Sequence, residues 1–139
     1  MKKVTAEWVR KAEVDVAAAR RLCEQKPPLN DPACFHCQQA VEKYLKALLQ
    51  ELELAVPRTH DLDDLLSRVL PKYPALMVFR ASMNRMTQYA VDYRYPGIHA
   101  STRQVQSALR FTARVRETIR QCLGIRSKPL RKDGRNPRN

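Results

Sequence analysis

The sequence predicts an all-α domain, an up-and-down helical bundle of about five helices, and three observations predict it. Apolar residues recur at spacings of three and four through five successive stretches. No stretch shows the strict alternation of a half-buried strand, and Pro or Gly clusters fall between the stretches where connections are needed. At 139 residues the chain is one domain's worth, long enough to bury a core without disulfide staples.

The elements follow in order. In residues 5 to 25, Trp8, Ala12, Val16, Ala19 and Cys23 make one apolar face of a first helix. KPPLNDP then interrupts, and Asp31 before Pro32 predicts an N-cap followed by a first-turn proline. The second helix carries the cleanest stripe, Cys34, Cys37, Val41, Tyr44 or Leu45, Leu48 and Leu52, and is expected to run to about Leu54, before Pro57. Thr59 or Asp61 can cap a short third helix with Leu62, Leu65, Leu66 and Val69 inward, closed by Pro71 and Pro74. A fourth helix is expected over about residues 74 to 93, with Leu76, Phe79, Met83, Met86 and Ala90 as its seam, stopping at Pro96-Gly97. Ser101 with Gln104 three residues later is a capping box that starts the fifth helix. Its stripe is Val105, Ala108, Thr112, Val115, Ile119 and Cys122, and Gly124 ends it. The two longest stripes leave apolar surface enough to suggest a homodimer.

Composition narrows the function classes. The apolar runs are far short of the roughly 20 residues that span a membrane. The N-terminus MKKVTAEWVR lacks the apolar stretch of a signal peptide, so the expectation is a cytoplasmic protein without a membrane partner. Cys23, Cys34, Cys37 and Cys122 lie in apolar-periodic segments, as buried thiols of a reducing compartment do. The net charge is +12. Six basic residues against one acid lie from residue 126 onward, a Pro/Gly-broken tail expected to be disordered, which sets the domain at residues 1 to 125 and the tail at 126 to 139. The body is basic in its own right, which points to a polyanion, above all nucleic acid or nucleotide.

The stretch DYRYPGIHAS places Arg94 at the end of the fourth helix and His99 two residues before the Ser101 cap. Free N–H groups at the start of the fifth helix favour an anion, and Arg94 and Arg103 can add charge-assisted bonds to a phosphate. A histidine beside that phosphate can exchange protons near neutral pH, as phosphodiester cleavage requires, and no metal-binding acidic cluster is needed. On spacing alone, two residues are a weak motif and ordinary turn chemistry is the better account of them. Cys34-Phe35-His36-Cys37 cannot close a tetrahedral zinc site by itself, and both thiols fall on the core stripe. His60 in THDLDD reads as part of a helix-start cap, and Asp61, Asp63 and Asp64 lack the spacing of a calcium loop. No metal and no cofactor is expected.

In this order and spacing, CFHCQQAVEKYLKALL, THDLDDLL, YAVDYRYPG and the final helix resemble the HEPN domain family over roughly residues 5 to 123. The resemblance implies a four-helix core plus a short helix, usually in a homodimer, and often a minimal nucleotidyltransferase partner in toxin–antitoxin-like pairs. Many such proteins are metal-independent endoribonucleases whose motif is Arg, four to six residues, then His. Arg94 and His99, with four residues between them, would then be the catalytic pair, Arg94 holding the scissile phosphate and His99 assisting 2′-OH attack or protonating the leaving group. Those nucleases usually carry a polar residue directly after the arginine, whereas Tyr95 and Pro96 stand here. The Arg-Tyr-Pro variant resembles a subgroup proposed to bind nucleotides, for which Arg94, Tyr95, His99, Ser101 and Arg103 are the expected phosphate-binding set. Three functions follow: a nucleotide- or RNA-binding protein, a metal-independent endoribonuclease toxin, and a non-catalytic scaffold for a nucleotidyltransferase.

Overall fold

The computed structural model describes residues 1–126; residues 127–139, most of the expected disordered tail, lie outside the described residues. The five helices are α1 (Lys3–Glu24), α2 (Asn30–Glu51), α3 (Leu62–Val69), α4 (Arg80–Asp92) and α5 (Thr102–Cys122), and a 3-10 helix, Pro74–Phe79, leads into α4. Among the described residues there is no strand.

α2 is the axis of the bundle, with α1, α3, α4 and α5 all packed on it. Tyr44, Leu45, Leu48 and Leu49 are completely buried, so truncating one of these leucines to Ala costs about 2–5 kcal/mol. A helix enclosed on most sides must also satisfy its polar groups. Gln38, Glu42 and Lys46, spaced four apart, form one buried polar stripe. Glu42 accepts from Lys46 Nζ at 3.0 Å and meets His60 Nδ1 at 2.8 Å, and Gln38 Nε2 donates to the His60 carbonyl at 3.0 Å. Lys46 also lies over the Trp8 ring. The His60 side chain is therefore drawn onto α2 and takes no part in capping α3; Asp61 accepts from the N–H groups of Asp63 and Asp64, and the Thr87 hydroxyl accepts from Leu62 N–H.

Three element boundaries differ from the sequence reading. α2 begins at Asn30, with no side-chain cap at Leu29, so Asp31 is a first-turn residue rather than the N-cap. Its carboxylate reaches instead to the segment before α5. α2 ends at Glu51 because Glu53 adopts φ 59, a left-handed reversal closed by Leu54 N–H to Leu49 and Glu53 N–H to Gln50. Gly124 makes the same closure on α5 at φ 71, as expected. The expected fourth helix is in two parts. In a 3-10 helix residues three apart eclipse, so Leu76 and Phe79 both turn into the core, and Phe79 meets Phe111 edge-on at 5.6 Å. Arg80 then starts α4 and is tied to α3 through Ser67 and Asp63.

α1 and α5 are joined by Glu13, which binds Arg116 Nε with both oxygens at 3.0 and 2.9 Å and Arg120 Nη1 at 3.0 Å. α4 and α5 both pack on α2 but touch each other little, which leaves a groove between them.

Candidate phosphate-binding corner

The corner is built where α4 unwinds. Tyr93, Arg94 and Tyr95 donate their N–H groups back to Tyr89, Val91 and Asp92, so Arg94 stands just past the last helical turn. Ile98 N–H then bonds the Tyr95 carbonyl at 3.4 Å around Pro96 and Gly97, and Gly97 has φ 85. Proline in the second position and a left-handed glycine in the third define a type II turn. That is the structural role of the Tyr-Pro-Gly break: it reverses the chain between the two polar residues.

The far side of the turn is held by the first turn of α2. Asp31 Oδ1 accepts the Ala100 N–H at 2.7 Å, and Asn30 Nδ2 donates to the Ala100 carbonyl at 3.2 Å. The other Asp31 oxygen is 3.2 Å from His99 Nδ1. This pairing fixes the imidazole by its Nδ1 face and leaves Nε2 for a ligand, on a side chain that is 76% exposed. Arg94 lies over the Phe35 ring of α2, 5.9 Å from its centre. It lines a cavity of about 290 Å³ with Asp31, Pro32, Phe35, Ala90 and Tyr93. His99 lines an adjoining one of about 280 Å³ with residues 28 to 32 and Ala100. Arg94 and His99 thus flank the Asp31-Pro32 turn, one on each side.

The remaining expected residues separate. Ser101 is occupied by its own helix: its Oγ accepts from Gln104 N–H at 3.1 Å and its N–H donates to Gln104 Oε1 at 2.8 Å. It supplies the start of α5 and not a free hydroxyl. Tyr95 is exposed on the turn. Arg103 lines the α4/α5 groove, with Arg85, rather than either of the two cavities beside Asp31. Lys43 and Lys46 are engaged with Asp15 and Glu42.

Two participants escaped the sequence reading. Asp31 was assigned to a cap, a role that hid its reach to His99, 68 positions away. Phe35 lay inside a Cys-Phe-His-Cys run that drew attention to its neighbours. Burial pushes the Tyr93 hydroxyl up to about 12, so the phenol beside Arg94 stays neutral. Burial likewise raises Cys34 to about 12 and Cys37 to about 11, which makes them packing groups rather than nucleophiles. Among the described residues, no group of three or more His, Cys, Asp or Glu gathers as a metal site. None of the described helices is long and apolar enough to cross a membrane.

Comparison with known proteins agrees with this architecture. A family model, HEPN domain, matches residues 5–122. No match was found among curated proteins or solved structures.

Proposed function

The chain belongs to the HEPN domain family, and from that membership, which carries a nucleotide- or RNA-related function, we propose that it binds a nucleotide or RNA phosphate at the Arg94/His99 corner. The observation that carries the reading is the Asp31 clamp. One carboxylate ties down the Ala100 backbone and the His99 ring together, so the imidazole is held beside a cavity containing an arginine. Arg94 supplies the cation and donors that suit a phosphate, and His99 Nε2 supplies one further bond.

The same pairing supports a second reading, metal-independent RNA cleavage. With Nδ1 on Asp31, His99 exchanges its proton at Nε2. It takes the proton of a ribose 2′-OH as that oxygen attacks phosphorus, or gives one to the departing 5′ oxygen. The products are a 2′,3′-cyclic phosphate and a 5′-hydroxyl. One corner holds one histidine, so general base and general acid together call for the corners of two subunits. Leu29, Val91, Tyr95 and Ile98 are exposed apolar side chains on the elements that form the corner and suit a homodimer contact there. A cytoplasmic toxin–antitoxin-like setting with a minimal nucleotidyltransferase partner, as the family resemblance implies, fits either reading. The scaffold alternative uses the same helices without a ligand.

Purified protein is titrated with labelled single-stranded RNA and with mononucleotides over a range of salt, then incubated with the RNA in EDTA, beside Arg94→Ala and His99→Ala variants shown by circular dichroism to be folded. Salt-sensitive binding lost in Arg94→Ala establishes the phosphate site. Cleavage lost in both variants makes the protein a ribonuclease. Binding and cleavage both absent leave the scaffold.

A further inference from the structure

The groove between α4 and α5 holds about 240 Å³, and its lining includes Arg85, Tyr89, Arg103 and Phe111, with two cations and no acid. Its floor is apolar, with Met86, Ala108 and Phe111 almost fully buried. Arg85 is braced by Ser82 at 3.0 Å, and the Arg103 guanidinium makes no hydrogen bond or ion pair among the described residues. One end of the groove meets the Arg94 corner at a pair of tyrosines. Tyr89, which lines the groove, and Tyr93, which lines the Arg94 cavity, stack on each other with ring centres 5.6 Å apart and planes 26° apart. Arg85, Tyr89 and Tyr93 are four residues apart in turn, so they form one stripe of α4 about 12 Å long that ends beside Arg94.

Cations along a groove, with aromatic faces between them, are what a flexible polyanion carrying flat bases requires. An isolated phosphate has no use for the rings, and an apolar peptide has no use for the two arginines. We propose that this groove is a lane for single-stranded RNA, in which Arg85 and Arg103 hold phosphates and the Tyr89–Tyr93 stack carries a base, leading the strand to the Arg94/His99 corner. The lane rests on the phosphate reading of the corner for its destination and shares Tyr93 with it, but the residues varied to test it, Arg85, Tyr89 and Arg103, line the groove and not the corner cavity. It also accounts for Arg103, which the sequence had assigned to the corner itself.

The test is fluorescence anisotropy with full-length protein and 5′-labelled single-stranded RNAs of one, four and eight nucleotides, in a salt series. The variants are Arg85→Ala/Arg103→Ala, Tyr89→Ala, Tyr89→Phe and Arg94→Ala, each checked for helicity. Affinity is expected to rise with length. Removing both groove arginines reduces the magnitude of the salt slope on the longest RNA by about 1.4, the loss of two phosphate contacts on a single strand. Tyr89→Ala weakens binding about tenfold or more, and Tyr89→Phe, which keeps the ring, restores it. Affinity that does not grow beyond one nucleotide overturns the lane, and so does a wild-type salt slope in the double arginine variant. If that happens while Arg94→Ala still loses binding, the corner stands without the lane. If Arg94→Ala binds as the wild type does and the groove variants fail, the lane stands and the corner reading falls.

Discussion

Replacing Asp31 separates positioning from charge, because the two effects act in opposite directions. In Asp31→Ala the buried Ala100 N–H loses its acceptor at 2.7 Å. A hydrogen bond to a charged group is worth about 1.5–3 kcal/mol. The contact with His99 adds little, because that ring is largely exposed and a surface pair contributes below about 1 kcal/mol. The expected loss is thus about 2–3 kcal/mol, or roughly 10 °C in Tm for a domain of this size. Asp31→Asn keeps an oxygen for Ala100 and is expected to lose about half as much. In the binding assay, the Asn variant removes a negative charge from the cavity that Arg94 lines. RNA affinity therefore rises about two- to fivefold, the effect of a Coulomb term under about 1 kcal/mol at an exposed site. Any cleavage, which needs His99 oriented, falls in the same variant. Thermal melts followed by circular dichroism and anisotropy titrations read both effects. An Asp31→Ala protein that melts within 1–2 °C of the wild type refutes the clamp, and an Asp31→Asn/His99→Ala protein that binds RNA more weakly than His99→Ala alone refutes an anion site at Arg94.

Gly97→Ala places a Cβ at φ 85 with nothing within 4 Å of it, so the cost is purely backbone, about 1–2 kcal/mol, read from urea midpoints; unchanged stability contradicts the type II turn. Glu42→Ala leaves Lys46 buried without its carboxylate, and a loss of about 3–5 kcal/mol is expected, with Glu42→Ala/Lys46→Met recovering a large part of it in the same urea titration. An unfolded thiol ionises near 9.0, whereas folded Cys34 and Cys37 hold their protons to about 12 and about 11. Their stabilisation is therefore complete below about pH 9 and is lost as pH rises through the folded values; stability measured from pH 8 to 11 falls less steeply in Cys34→Ala/Cys37→Ala than in the wild type. At pH 8 a thiol reagent modifies Cys23 and Cys122, which are partly buried, before the other two; equal rates at all four contradict the packing at α2.

The sequence by itself determined the helices and their faces, because periodicity is local. Cys34, Cys37, Val41 and Leu48 needed only their spacing to mark the inner side of α2, and Ser101 with Gln104 marked the start of α5 within four residues. Pro96-Gly97 announced a turn for the same reason. The boundaries that failed were decided elsewhere. Asp31 looked like a cap because a cap is the local use for an aspartate before proline, and only the approach of residues 99 and 100 to α2 gave its carboxylate another partner. The expected single helix over residues 74 to 93 broke because Leu76 and Phe79 had to meet the core together, and Phe79 had to reach Phe111 on another helix. His60 left its cap for a carboxylate 18 positions away. For the site, the chain showed that Arg94 and His99 bracket a turn. Their places on either side of Asp31 and Pro32, the separation of Arg103 into another groove, and the stack that joins that groove to the corner are long-range facts. They depend on which helices α2 draws together.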